Sequence, residues 1–340
     1  MTTLVTGATG FVGSQLVRLL LARNEPVRVL VRPTALTRAL EGLPVEWAYG
    51  DLRDQASLQA ACRGVRRVFH VAADYRLWAR DPQAIYESNV GGTRHLLRAA
   101  ADAGVERFIY TGTVATIAMG RPGPLPDETA EARLDEMIGP YKRSKFLAEQ
   151  EVRRAAAAGL PVVIVSPTTP VGPGDWKPTP TGKIIVDFLQ GRMPAYVDTG
   201  LNLVAVEDVA AGHLLAAERG TIGERYLLGG RNLTLRELLG TLAALTGRKA
   251  PRVRLPYGVA LAAGYASEAV SRLTGREPRV PLDGVRMARH RMFVDCSKAT
   301  REIGFAPGPV DEALARAIAW YVAHRYVPDL PARVAAGHAA

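Results

Sequence analysis

The stretch Thr6-Gly7-Ala8-Thr9-Gly10-Phe11-Val12-Gly13 decides how the chain is read. It follows an apolar run of strand length, Thr2–Thr6, and a segment with helical apolar spacing begins at Ser14. Strand, glycine loop and helix in this order make a dinucleotide-binding arrangement. Gly7 permits a tight turn, Gly10 removes the side chain that would block a pyrophosphate, and Gly13 lets helix and strand pack closely. The helix N-terminus then turns free N–H groups and its positive dipole end toward the phosphates. A lone glycine motif also fits an unrelated strand-to-helix turn, so the remaining sequence has to carry the argument further.

Outward from the loop, strand-length runs at Val27–Val31, Val45–Tyr49, Val68–Val71, Arg107–Tyr110 and Val162–Val165 alternate with helical segments. Those segments are Ser14–Arg23, Gln55–Ala61, Gly91–Ala103 and Pro140–Ala156. The alternation predicts an α/β fold: a doubly wound parallel Rossmann sheet with helices on both faces, plus a smaller C-terminal substrate lobe. Composition shifts after Pro167, where Pro and Gly crowd Thr168–Gly182. The expected Rossmann domain is 1–167, with 203–228 returning to it through strands Leu203–Val206 and Tyr226–Leu228. The expected substrate-binding lobe is 168–202 and 229–330, with helices at Leu235–Thr246, Val259–Leu273 and Val310–His324.

The totals narrow the class. The chain has 340 residues, 48% of them hydrophobic, enough for a full core. Cys62 and Cys296 are too few for a disulfide framework, and no His/Cys cluster has metal-ligand spacing, so no metal is expected. A reducing, cytoplasmic setting fits, and the N-terminus reads as structure and not as a signal peptide. No apolar run approaches the roughly 20 residues needed to cross a bilayer. The formal net charge of +10 reads as a solvated, Arg-rich surface with scattered basic residues, with no nucleic-acid module.

Tyr141-Lys142-Arg143-Ser144-Lys145 follows Pro140 in a helical segment, so Tyr141 and Lys145 share a face at i, i+4. A free tyrosine titrates at about 10 and is a poor base at neutral pH. A neighbouring ammonium and an oxidised nicotinamide would stabilise its phenolate, so that Tyr141 could exchange a proton while hydride moves.

Glycines three apart throughout the first loop, with Tyr141 and Lys145 after the fifth strand, resemble the extended short-chain dehydrogenase/reductase superfamily, the NAD-dependent epimerase/dehydratase type. The resemblance implies a cofactor loop of Gly7, Thr9, Gly10, Phe11, Val12 and Gly13, and a Lys145 that bonds the nicotinamide ribose. Asp51, followed by Leu52, resembles the residue that bonds the adenine amine. Ala72 and Ala73 resemble the small fourth-strand turn against the cofactor, and Asn89 a residue that supports backbone. Thr113 falls where the family places its hydroxyl donor to the reacting oxygen, with Thr111 as the alternative. Pro167 and Thr168 fall near the nicotinamide carboxamide. The second strand ends at Val31, then Arg32, where NAD enzymes carry an acid. An Arg there can pair with the 2′-phosphate, so NADP is preferred over NAD.

Nucleotide-sugar dehydratases of the family place Asp and Glu directly after the Thr; Val114 and Ala115 stand there and argue against dehydration. Pro167-Thr168-Thr169-Pro170-Val171-Gly172-Pro173 resembles the dihydroflavonol 4-reductase-like branch. Lys177–Gly182, Arg192–Val204 and Asp295–Ala299 resemble hopanoid-associated sugar epimerases, which implies a sugar-like or lipid-linked small-molecule substrate and a role near hopanoid lipids. An epimerase, an NADPH-dependent reductase and a non-catalytic NADP sensor share most of these features, although the sensor class usually lacks the Tyr/Lys pair. Asp175–Lys183, Asn202, Tyr75 and Trp78 are candidate substrate contacts. Val259–Leu273 reads as ordinary packing, with a peripheral membrane contact as the alternative. The resemblance also implies a homodimer.

Overall fold

Alternating apolar residues build a sheet that is buried on both faces. The computed structural model describes residues 2–120 and 123–327; positions 328–330 of the expected lobe lie outside the described residues. Strands β1 (Thr2–Thr6), β2 (Val27–Val31), β3 (Glu46–Tyr49), β4 (Val65–His70), β5 (Arg107–Thr111) and β6 (Val162–Pro167) alternate with helices α1 (Phe11–Ala22), α2 (Gln55–Cys62), α3 (Gln83–Tyr86), α4 (Gly92–Asp102) and α5 (Gly139–Ala157). A π-helical turn, Glu87–Gly91, joins α3 to α4. Val5, Val29, Phe69, Ile109 and Val163 face one helical layer, which includes α1. Their neighbours Leu4, Leu30, Val68, Phe108 and Val162 face the other, which includes α2, α4 and α5. That period of two, apolar on both sides, is what a parallel sheet covered by crossover helices requires.

The chain continues through β7 (Thr169–Val171), α6 (Pro180–Leu189), β8 (Ala195–Val197), β9 (Gly200–Ala205), α7 (Val206–Arg219), β10 (Arg225–Leu228) and β11 (Arg231–Thr234). It ends with α8 (Leu235–Thr246), β12 (Val253–Leu255), α9 (Tyr257–Thr274), α10 (Leu282–Met287), α11 (Ser297–Ile303) and α12 (Val310–Ala323). The main sheet is all parallel, in the order β10-β6-β5-β4-β1-β2-β3. The strand order reverses between β1 and β4, and ligands of such sheets bind beyond the carboxyl ends at that point.

One expectation needs correcting. Leu203–Val206 does not rejoin the main sheet: β9 lies in a separate three-stranded sheet, between β7 and β11. The chain leaves the main sheet at Pro167, and β7 begins two residues later as the partner for β9, while the place beside β6 is taken by β10. The returning portion is α7 and β10. The small sheet shares its core with α6, α8 and α12. Among the described residues no helix is long and apolar enough to cross a membrane.

Candidate active site

The glycine loop has the shape a pyrophosphate needs. Gly7 has φ +70°, and a Cβ on it would lie 2.6 Å from the Ala72 amide nitrogen. A Cβ on Gly13 would lie 2.2 Å from the Gly7 carbonyl oxygen, so the close approach made here is that of helix to loop. Gly10 is exposed. Helix α1 begins at Phe11, a turn earlier than the apolar spacing predicted, because Gly10 itself is the extended residue that opens it. Among the described residues the Phe11 and Val12 amides have no backbone acceptor, and the first turn carries no acid. These residues fit a dinucleotide phosphate group.

Beneath the loop lies a chain of hydrogen bonds that sequence reading did not single out. The Ala72 amide donates to Thr6 Oγ1 (3.3 Å), which lies 2.8 Å from His70 Nδ1. His70 Nε2 lies 2.9 Å from Thr93 Oγ1, whose hydroxyl donates to the Asn89 carbonyl oxygen at 2.6 Å. Thr93 therefore accepts from His70 Nε2–H, and the bare Nδ1 accepts from Thr6. A second buried histidine, His213 on α7, donates from Nδ1 to the Val209 carbonyl oxygen and accepts at Nε2 from the Thr111 hydroxyl (2.9 Å). Burial, aided at His70 by the charge of Lys145, lowers His70 to about 3; burial also lowers His213, to about 4. Both are neutral in the fold and would take up a proton near 6.5 once unfolded. The unfolded chain thus binds more protons at mildly acidic pH. Stability present above about pH 6.5 is lost progressively as pH falls toward 4 and 3. Thermal melts across that window should show the decline, with a shallower slope in His213→Gln; a flat profile would remove this account.

Tyr141 and Lys145 occupy α5, whose first residue, Gly139, has φ +76°. Lys145 is buried, and its Nζ donates to the Thr111 carbonyl oxygen at 2.7 Å, 4.4 Å from the Tyr110 ring centroid. Burial lowers Lys145 to about 7, opposed by Glu149. Burial also raises Tyr141 above its ordinary value, opposed by a hydrogen bond with Thr113. The expected depression of the Tyr141 pKa by Lys145 is therefore not found in the chain itself. Desolvation outweighs it, and Thr113 is the group that favours the phenolate. Thr113 also accepts from the Ala115 amide (3.2 Å), which fixes its hydroxyl beside the phenol. The loop it opens is held to α5 by Thr116, which donates to Glu149 Oε2 at 3.1 Å. Glu149 in turn receives buried Arg225 at 3.0 Å.

Asn89 sits in the π-helical turn, a distortion that often marks functional positions. Its side chain clamps both backbone groups of Asp74 (2.7 and 2.9 Å) and donates to Ser144 Oγ, which donates to the Tyr141 carbonyl oxygen. It joins the fourth-strand loop to α5. Asp51 is already clamped by Arg53 through bonds of 2.9 and 3.0 Å, which hold its carboxyl below the usual range; Arg32 adds a weaker pull. Leu52 packs where a Cβ on Gly92 would fall, and its carbonyl oxygen lies 3.2 Å from His95 Nδ1. Pro167 ends β6, and the Thr168 amide and hydroxyl both donate to the Leu228 carbonyl oxygen.

Two expected substrate contacts are structural. Asp175 is buried and accepts from the Thr179 amide and hydroxyl and from Tyr321. Asn202 is buried between β9 and β11 on Gly230 and Asn232. Tyr75, by contrast, is partly exposed, and burial, with the negative charges of Asp175 and Asp74, raises its phenol. Trp78 is half-buried three residues on.

A glycine-loop cleft at the switch point of a doubly wound sheet, with a Tyr/Lys helix along it, defines a dinucleotide-dependent enzyme of the Rossmann class. Residues 3–229 match the model of the NAD dependent epimerase/dehydratase family, and the chain belongs to that family. It is 47% identical over 327 residues to a Synechocystis protein named "Putative dihydroflavonol 4-reductase", covering 95% of each chain. It is 38% identical over 323 residues to "Sterol demethylase protein B" of Methylococcus capsulatus, covering 94% of this chain and 98% of that one. The crystal structure of gox2253 superposes with a TM-score of 0.86 at 48% identity, covering 96% of this chain and 99% of that one. The chain is an NAD(P)-dependent enzyme of extended short-chain dehydrogenase/reductase type.

Proposed function

We propose that this enzyme is an NADPH-dependent carbonyl reductase acting on a lipid-like small molecule. The observation that carries the cofactor choice is the end of β2. Val31 is buried, Arg32 is exposed, and the neighbouring Asp51 carboxylate is clamped by the guanidinium of Arg53. An exposed guanidinium directly after the strand, with the nearby Asp51 carboxylate already neutralised, favours a 2′-phosphate over a free hydroxyl. The relatives named for dihydroflavonol reduction and sterol demethylation, with the resemblance to hopanoid-associated proteins, support an oxygen-bearing, largely apolar substrate.

Bound NADPH would supply hydride to the carbonyl carbon. Tyr141, protonated at neutral pH, is the group that would give its proton to the oxygen as negative charge develops, and Thr113 would donate a second hydrogen bond. Lys145, one turn along the same face and titrating near pH 7, would hold or release a proton there. Tyr75 would bound the substrate space, and the lobe of 168–202 and 229–330 would contribute the rest. The functional unit is read as a homodimer.

The test is a titration of the purified protein with NADPH and NADH. Arg32→Ala is expected to weaken NADPH by about tenfold, the loss of one charge-assisted contact of about 1.4 kcal/mol, and to leave NADH unchanged. Tightly co-purifying NAD would instead support the epimerase reading, in which hydride leaves a sugar-like carbinol and returns to its other face.

A further inference from the structure

Helix α9 is apolar on its outside. Only Ala260, Gly264 and Ser271 of its 18 residues are buried; they share one face, and Gly264 packs against Leu282 and Val285 of α10. The opposite stripe, Val259, Ala262, Ala266, Ala269, Val270 and Leu273, recurs at three- and four-residue spacing and faces solvent, with Leu273 89% exposed. Of the two charges on α9, Arg272 flanks the stripe and is paired with Glu268. The sequence leaves ordinary packing and a peripheral membrane contact both open for this segment; the exposure of the stripe favours the second.

The net charge is not scattered either. Residues 248–291 contain ten Lys and Arg but three Asp and Glu, so this segment carries +7 of the formal +10. Arg252, Arg276, Arg279 and Arg289 are exposed, with no ion pair among the described residues. An apolar stripe flanked by unpaired arginines is the pattern of a helix lying in the plane of a bilayer.

We propose that α9 docks this protein on an anionic lipid bilayer, with Val259, Val270 and Leu273 entering the acyl boundary and the arginines meeting the headgroups. A second copy of the chain fits poorly, because a two-fold contact would set arginine against arginine. A helix of 18 residues is about 27 Å long and about 10 Å wide. That face is far below the roughly 800 Å² per partner of a stable protein interface. Docking would also set the candidate site close to the membrane. The α9–α10 hairpin abuts the start of α5: a Cβ on Gly139 would meet the Asp283 carboxylate of α10, two residues before Tyr141. Arg80, beyond Tyr75, reaches the Gly275 carbonyl oxygen at the end of α9.

The experiment is co-sedimentation of the full chain with vesicles of phosphatidylcholine alone and of equimolar phosphatidylcholine and phosphatidylglycerol. Affinity is expected to be at least about tenfold higher for the anionic vesicles, and to fall with salt. Val270→Glu with Leu273→Glu, both at exposed positions, should abolish it while thermal stability and dinucleotide binding are kept. Arg276→Glu with Arg279→Glu should weaken it by about tenfold or more. Absence of binding to anionic vesicles, or equal binding by the Val270/Leu273 variant, overturns the proposal. A variant that instead turns a dimer into a monomer, with no vesicle binding in the parent, would assign the face to a second copy.

Discussion

Replacing Tyr141 by Phe is expected to lower kcat on the order of 10³-fold while NADPH still binds. The phenol is the one proton donor on this face that burial keeps protonated at neutral pH, whereas Lys145 titrates near 7 and already donates to Thr111. Phenylalanine keeps the ring and its packing and removes only the hydroxyl that Thr113 bonds. Steady-state turnover with a carbonyl substrate, beside a fluorescence titration of NADPH, separates the two effects. Unchanged turnover would remove Tyr141 from the chemistry and favour the sensor reading. Loss of cofactor affinity equal to the loss of turnover would make the residue a binding group.

The second large effect falls on stability. Glu149→Ala is expected to cost about 3–5 kcal/mol, because it leaves Arg225 buried without its carboxylate. Among the described residues that guanidinium then keeps the Glu128 carbonyl oxygen as its acceptor, and its Nε has no partner. Thr116 also loses its bond to α5 and keeps only the Thr113 carbonyl oxygen within its own loop, which loosens the loop carrying Thr113. Lys145 loses the negative neighbour that holds its pKa up, so a pH limb governed by Lys145 should move to lower pH. Chemical denaturation measures the first effect and a pH–rate profile the second. A loss below about 1 kcal/mol, the range of an exposed pair, would mean that water reaches the site when the carboxylate is gone.

Much of the fold could be read because a parallel sheet leaves a simple record. Each strand from β1 to β6 is an apolar run between helical segments, and the structure moves their ends by no more than three residues. β4 begins at Val65 where the apolar run begins at Val68, since Arg66 and Arg67 break the run while the strand still pairs with β1 through a register shift at Arg66. β9 was misassigned for a different reason. Its residues suit any buried strand, and its partner is decided by β7, three residues long and too short to leave a pattern.

The candidate site shows the same division. Gly7, Gly13, Tyr141 and Lys145 are read from spacing because the loop and the helix each impose one. His70 and His213 carry no spacing signal; what makes them part of the floor is contact across 23 residues to Thr93 and across 102 to Thr111. Asp175 and Asn202 read as ligand contacts because both are polar residues in the expected substrate lobe. Their partners, Tyr321 and Asn232, lie far along the chain, and only the folded contacts show that their hydrogen-bonding capacity is used internally.

The placement of β10 bears on how the chain can be divided. The strand that completes the main sheet arrives only after β7, α6, β8, β9 and α7 have been laid down. A piece ending at Pro167 would keep the glycine loop and Tyr141, yet it would present the bare flank of β6, six residues that are all buried in the whole protein. Such a flank is a template for another strand, from the same molecule or from its neighbour. Cutting at the visible composition change would therefore give a self-associating fragment and not a working half, and the nucleotide fold is complete only once residue 228 has been made.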